Sequence, residues 1–412
     1  MPKFAAMKPV ASAAMLILAG IALRLPAVLG YDGPALAHPF NVYEMGRVGA
    51  YSDIAHLYFR DGLWAHPAPY LDYRFEYPVL TGAFVWLASF AGGGVAVYFL
   101  ASAALLLGLG MAAVRLLGRI EGANPWLLAA APALAFYGVL NWDLLGVCLL
   151  VAALWLFERR REVPASAVLA LAVAAKLFPV VVLPLVLALR AADRRWRSAL
   201  LVAGTFAAVT LAVNAPAAIG PGGGIRDSWL YFFRFSESRP PRATIWKPLV
   251  HDHSNLVSAP LLVAGLVAIA ALAVRARRAP GGVLIPASAA ALLWVFATAK
   301  VYSPQYALWI FAALALVGAP LRLAIAFGLV DLLVFTTTFG PLYPGFGPFA
   351  PGGVPLEIQW AAYGVRQLLT AALAAWVVRE RLVRGRDSTV AAPRLTRASS
   401  MAWETGAGRE AR

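Results

Sequence analysis

Charge is what this sequence has least of. Only 13% of its 412 residues are charged and 20 are acidic, against 61% apolar types and a mean hydropathy of +0.73. A soluble domain carries about 25% charged residues, so the composition excludes an ordinary water-soluble protein and points to one embedded in lipid. The reason is the solvent. A bilayer accepts Leu, Ala, Val and Phe on the outside of a helix, whereas a central Asp, Lys or Arg costs about 2.5–3.5 kcal/mol on insertion scales. The single cysteine, Cys148, excludes an intrachain disulfide, and its apolar run makes it a small core residue rather than a reactive thiol. Walker-type loops, dinucleotide fingerprints, nucleophile elbows and HExxH pairs are all missing, which argues against an ATP-driven pump.

What charge there is has a pattern. The net charge of +15 would suggest nucleic acid in a soluble protein. Here the basic residues fall in short clusters between apolar runs, at Arg115/Arg119, Arg159–Arg161, Arg190–Arg197, Arg275–Arg278, Arg322 and Arg379–Arg386. That suits cytoplasmic loops under the positive-inside rule and implies a bilayer, not a nucleic acid, as partner. Lys3 and Lys8 ahead of ASAAMLILAGIALRLPAVLG resemble a signal peptide. More membrane follows, so the segment is read as an uncleaved first transmembrane helix.

A membrane helix needs about 20 mainly apolar residues. Apolar runs lie near 11–29, 78–91, 95–117, 124–140, 144–158, 163–175, 178–190, 198–217, 257–274, 282–297, 304–319, 323–339 and 358–378. With the basic clusters inside, both termini are cytoplasmic and the loops 30–77, 141–143, 176–177, 218–256, 298–303 and 340–357 face outward. Two inside termini require an even number of crossings. The run 78–91, beside a triple-glycine break, is therefore expected to re-enter or lie at the interface, and the short pair 163–175 and 178–190 to form a half-inserted hairpin. The expectation is an all-α polytopic protein of about twelve transmembrane helices over residues 1–386, followed by a disordered, basic cytoplasmic tail at 387–412.

The chemistry-bearing residues gather on the predicted outer side. Loop 30–77 holds Asp32, Glu44, Asp53, Asp61, Asp72 and Glu76 with His38, His56 and His66, and loop 218–256 holds His251 and His253. In YSDIAHLYFRDGLW, Ser52 is placed to cap a helix from Asp53 to about Leu63, with Ile54, Leu57 and Tyr58 at helical spacing. Such a helix would lie along the membrane surface, apolar face down. Its dipole would favour the carboxylate of Asp53, as a general base requires, although Asp53 could equally serve only the cap. His56 and Arg60 follow near the same face. YRFEYPVL sets Glu76 and Tyr77 at the mouth of the next run, where Pro78 fixes the entry. LNWDLLG puts Asn141 and Asp143 at a hairpin tip, and AAKLFPVVVLP puts Lys176 where it must pair, reach a polar cavity or snorkel.

Arg234, Arg239, Arg242 and Lys247, with His251 and His253, form an outer basic patch against the positive-inside trend. An anionic group at the membrane surface is its natural partner. His251-x-His253 lacks a clear third ligand, so no metal site is expected, and a divalent ion is not excluded. TAKVYSPQYALWI sets Lys300, Ser303, Gln305 and Tyr306 at a further tip, rich in donors.

The order of a first-loop acid, YRFEYPVL, an N-x-D hairpin, AAKLFP and KVYSPQYALW resembles the integral-membrane GT-C glycosyltransferases, specifically glycosyltransferase family 87, over most of residues 11–378. The resemblance implies a GT-C fold and a polyprenyl-phosphate sugar donor, usually of mannose. It implies transfer with inversion to a glycolipid or lipoglycan hydroxyl on the outer (periplasmic) face of the cell membrane, with no cofactor. It also implies an acid in the first outer loop as base. That role falls best on Asp53, with Asp61 and Glu76 as competitors. Polyprenyl phosphate is a good leaving group, so one carboxylate to take the acceptor proton is enough, and positioned cations stabilise the departing phosphate. Lys176, Arg239, Arg242, His251, His253 and Lys300 are candidates for the phosphate. His56, Arg60, Asp61, Glu76, Tyr77, Asn141, Asp143, Ser303, Gln305 and Tyr306 are candidates for sugar or acceptor. Other readings are a transferase of another lipid-linked sugar such as arabinose, a flippase or transporter of a lipid-linked sugar, and an inactive scaffold. Transporters place polar groups mid-span, whereas here they collect in outer loops.

Overall fold

The computed structural model describes residues 2–29, 49–219, 231, 234, 235, 237–250, 253–278, 282–344 and 353–384. The expected roles of Asp32, His38, Glu44, His251 and the tail 387–412 lie outside the described residues. The described chain is helical, with only two isolated β-bridges and no strand. Its helices are α1 (Pro2–Leu29), α2 (Asp53–Arg60), α3 (Val79–Ser89), α4 (Gly94–Leu117), α5 (Trp126–Ala129), α6 (Ala133–Tyr137), α7 (Asp143–Glu158), α8 (Glu162–Ala175), α9 (Val182–Ala192), α10 (Trp196–Ile219), α11 (Trp246–Val250), α12 (Ser254–Ala276), α13 (Leu284–Thr298), α14 (Ala307–Leu316), α15 (Leu321–Phe339) and α16 (Leu356–Val377).

Among the described residues six helical stretches are long and apolar enough to cross a membrane: Lys8–Leu29, Gly94–Leu117, Trp196–Ala218, Ser254–Ala276, Leu321–Phe339 and Leu356–Val383. Shorter helices fill the space between them. Every residue of α14 is buried, so this helix is core on all sides. The outer helices do the reverse. Leu200 of α10 is 72% exposed and Leu256 of α12 is 74% exposed. Leucine standing free over long helices is the surface of a protein solvated by lipid.

The bundle has two chemically different ends. At one end Glu162 receives Arg190 at 2.9 Å and Arg195 at 3.4 Å, Asp193 receives Arg277 at 3.1 Å, and Arg381 donates to the Val317 carbonyl at 2.6 Å. The first-loop segment, the tips at 141–142 and 176–177, and the loops 237–250 and 299–306 lie at the other end. The pair α8 and α9 runs the whole way between them, because Arg190 meets Glu162 at one end while Lys176 sits at the other. By contrast, both ends of α3 meet the first-loop segment. Its start is held by the Tyr70 hydroxyl, which donates to the Tyr77 and Pro78 carbonyls, and its finish by His66, stacked on Phe90 at 4.7 Å. Tyr70 passes so close to Gly82 that a Cβ there would overlap the phenol, so only glycine fits.

The sequence-based runs break at their prolines. The run 124–140 becomes α5 and α6, parted just before Pro132. Residues 178–181 and 304–306 open their runs as single 3-10 turns with Pro179 and Pro304 in the first turn. The first-loop helix is shorter than expected, ending at Arg60 because Gly62 takes φ 64° in the left-handed region. Ser52 has the extended backbone of an N-cap but does not cap. Its hydroxyl donates instead to the Val139 carbonyl at 3.0 Å, and the Asp53 amide donates to the Leu140 carbonyl at 2.8 Å. The apolar face of α2 does not lie open for lipid either. Ile54, Ala55, Leu57 and Tyr58 are buried in the protein, and Tyr58 packs on Tyr98 of α4 at 5.1 Å.

Candidate active site

A cavity of about 1040 Å³ opens at the end of the bundle where these loops meet. The segments around it are pinned by backbone bonding. Arg24, fully buried in α1, donates to the Tyr51 carbonyl at 2.9 Å, to Gly20 at 3.0 Å and Ala135 at 3.3 Å, and to Phe136 at 2.5 Å. It ties α1 and α6 to the strap that carries Asp53. Across the cavity, the Arg242 amide donates to the Lys300 carbonyl at 3.0 Å and the Tyr302 amide to the Arg242 carbonyl at 3.1 Å. Gln367 of α16 accepts from the Ile245 amide at 2.8 Å and donates to the Ala297 carbonyl at 2.9 Å. These backbone bonds fix the loops that carry the cations.

Asp53 stands at the first turn of α2 with both carboxylate oxygens occupied. The Tyr51 hydroxyl donates to Oδ1 at 2.5 Å and Asn141 Nδ2 donates to Oδ2 at 2.6 Å. Asn141 Nδ2 also donates to the Tyr77 hydroxyl at 2.9 Å, and its Oδ1 accepts from the Trp142 amide at 2.6 Å. Asn141 is therefore spent on orienting Asp53 and Tyr77 from behind the wall and does not face the cavity. Of the three candidate bases, Asp61 pairs with Arg60 at 2.6 Å and Glu76 with the same guanidinium at 3.2 Å. Asp53 is hydrogen-bonded to neutral donors. Asp61 does not line the cavity; Asp53, His56, Arg60 and Glu76 do. Burial lowers the His56 pKa, Asp53 pulls it back up and Arg60 lowers it further, so the imidazole is neutral at pH 7.

The second wall is cationic. Lys176 caps the end of α8, and its ammonium lies 4.8 Å from the centre of the Tyr77 ring and 5.9 Å from that of Tyr306. Behind it Asp143, fully buried at the start of α7, gives Oδ2 to Lys176 at 3.4 Å and accepts the Trp309 indole N–H on Oδ1 at 2.8 Å. Asp143 thus braces Lys176 and stays off the wall. Arg239, Arg242, Lys300, Ser303, Gln305 and Tyr306 complete this side. The Lys300 ammonium donates to the Glu237 carbonyl, and partial burial lowers its pKa, with Glu237 opposing and Arg239 adding to the shift. His253 is exposed at the start of α12 and does not line the cavity. Among the described residues no three His, Cys, Asp or Glu side chains group as metal ligands.

Three parts of the site escaped the sequence reading. Arg24 was visible as a lone guanidinium inside an apolar run, a signal of buried function or structure. Tyr51 stands two residues from Asp53 and had no signal beyond that spacing. Phe339, Tyr343, Gln359, Trp360 and Tyr363, which close the remaining side, had none.

With this geometry in place, a family model for glycosyltransferase family 87 matches residues 75–304. The match takes in Glu76, Tyr77, Asn141, Asp143, Lys176, Arg239, Arg242, Lys300 and Ser303, and begins after Asp53. No curated protein matches the chain. The model covers more than half of the chain, which belongs to glycosyltransferase family 87 and is a membrane-associated glycosyltransferase of GT-C type.

Proposed function

We propose that this glycosyltransferase moves mannose from a polyprenyl-phosphate donor to a hydroxyl of a glycolipid or lipoglycan, with inversion and with Asp53 as general base. The observation that carries the reading is the Asp53 carboxylate, held by Tyr51 and Asn141 and separated from the Lys176 ammonium by the Tyr77 ring. Asp53 takes the proton of the acceptor hydroxyl. The acceptor oxygen bonds to the anomeric carbon as the bond from that carbon to the phosphate oxygen breaks. The electron pair leaves with the polyprenyl phosphate, whose growing charge meets Lys176, Arg239 and Lys300. Ion pairing to Arg60 makes Asp61 and Glu76 the poorer bases. Mannose is favoured by the likeness of the sequence motifs to those of mannosyltransferases.

In the same reading the cavity end faces the outer side of the cell membrane and both termini are cytoplasmic. The shorter helices join the six long ones to give twelve crossings, with α3 making none.

The test uses the purified protein with radiolabelled polyprenyl-phosphate mannose and a membrane lipid extract. Wild type is expected to transfer label to lipid. Asp53→Asn keeps the shape and is expected to lose about 10²–10⁴-fold in kcat. Equal rates in the variant remove Asp53 as base. Movement of labelled donor between leaflets without transfer replaces the enzyme reading by a flippase.

A further inference from the structure

The Asp53 carboxylate joins two unlike walls. Its Oδ2 side leads through Asn141 to Tyr77, whose ring receives the Lys176 ammonium. Its Oδ1 side leads through the Tyr51 hydroxyl to a ring that stacks on Phe339 at 4.9 Å with 6° between planes. Beyond Phe339 lie Tyr343, Gln359, Trp360 and Tyr363, contributed by the end of α15 and the start of α16. The Lys247 ammonium lies 5.9 Å from the centre of the Trp360 ring, and the Thr338 and Tyr363 hydroxyls hydrogen-bond at 2.8 Å.

Displacement with inversion puts the attacking oxygen and the leaving oxygen on opposite sides of the anomeric carbon. In the transferase reading the leaving phosphate belongs with Lys176, Arg239 and Lys300. The attacking hydroxyl must then approach Asp53 from the Oδ1 side, over Tyr51 and Phe339. A wall of broad ring faces bordered by hydroxyl, amide and ammonium groups is suited to a sugar, which offers apolar C–H faces to rings and hydroxyls to polar neighbours. A bare lipid alcohol would need no such polar border.

We propose that the wall formed by Tyr51, Phe339, Tyr343, Gln359, Trp360 and Tyr363 is the acceptor subsite, that it binds a sugar of a glycosylated headgroup, and that Trp360 is the ring on which this sugar rests. The proposal rests on the transferase reading above and gives its acceptor sugar a place in the cavity and a ring to rest on.

The experiment has two arms, both with the full-length protein in detergent. In the first, titration calorimetry follows octyl α-mannoside, with octyl phosphocholine as the control for detergent-like binding. Wild type is expected to bind the mannoside, Trp360→Ala to bind it about tenfold more weakly, and Trp360→Phe to stay near wild type. In the second, label transfer from polyprenyl-phosphate mannose to octyl α-mannoside is measured together with slow hydrolysis of the donor by water. Trp360→Ala is expected to raise KM for the mannoside about tenfold while leaving KM for the donor in place. Unaltered mannoside binding in Trp360→Ala, or a donor KM that rises with it, overturns the subsite. Mannoside binding equal to that of octyl phosphocholine in wild type does the same. Loss of both transfer and hydrolysis in wild type, with mannoside binding still dependent on Trp360, counts against the proposed reaction and leaves the subsite standing.

Discussion

Asp53 owes its position to neighbouring side chains and to a backbone turn. The Tyr51 hydroxyl and Asn141 amide each give one hydrogen bond to the carboxylate, and Ser52 and the Asp53 amide hold its backbone to the 139–140 turn. A hydrogen bond to a charged group is worth about 1.5–3 kcal/mol. Tyr51→Phe is therefore expected to lower kcat by about tenfold or more while leaving the donor KM in place, checked by initial rates over a donor series. His56 gives a pH prediction. Burial, the leading cause, lowers its pKa below the ordinary histidine value of about 6.5, so the neutral ring is present above that value. As pH falls through the lowered pKa, the ring becomes a second cation beside Arg60 and next to Asp53. Activity is expected to show an acid limb lying below the ordinary histidine value, and His56→Asn to remove or move it, read from kcat against pH. A limb unchanged in the variant belongs to another group.

Two hairpin tips, α7 after its turn and α8 before its own, bring Asp143 against Lys176. Breaking a buried ion pair from one side costs about 3–5 kcal/mol, whereas replacing both partners by apolar groups of similar size is often close to neutral. Asp143→Leu is thus expected to lower thermal stability strongly in a detergent melt. Asp143→Leu with Lys176→Met is expected to recover most of it and still fail to transfer sugar, which separates the brace from the chemistry. The motifs carrying Asp53, Glu76, Asn141, Lys176 and Lys300 were legible in the sequence, because each is a polar group stranded beside an apolar run. What each does there was not. Asn141 and Asp143 read as sugar ligands from their tip position, yet the structure turns both toward protein partners, Asp53 and Lys176. Hairpin periodicity says where a tip is and nothing about which tip it meets. Ser52 failed as a cap for the same reason, since the Val139 and Leu140 carbonyls that claim its hydroxyl come from a distant turn.

At the scale of the whole molecule, the apolar runs and the basic clusters between them located nearly every helix. Short breaks at Pro132, Pro179 and Pro304 were blurred because proline inside an apolar run shifts backbone bonding without changing hydropathy. The proposed orientation has a direct check. Cys148 is buried, so Cys148→Ser gives a thiol-free background. In it, Trp64→Cys at the cavity end is expected to react with a membrane-impermeant maleimide added to intact cells. Arg160→Cys, at the opposite end, is expected to react only after lysis, and the reverse pattern would invert the topology. The buried guanidinium of Arg24 also imposes an order of assembly. Only Gly20 among its acceptors belongs to its own helix; Tyr51 follows later in the chain, and Ala135 and Phe136 much later still. A growing chain that has delivered α1 to the bilayer holds a cation whose insertion costs about 2.5–3.5 kcal/mol, until α6 emerges and closes the knot. α1 is therefore not settled until α6 has been made, and the base-bearing strap that hangs from it reaches its working position only after the chain has passed Phe136.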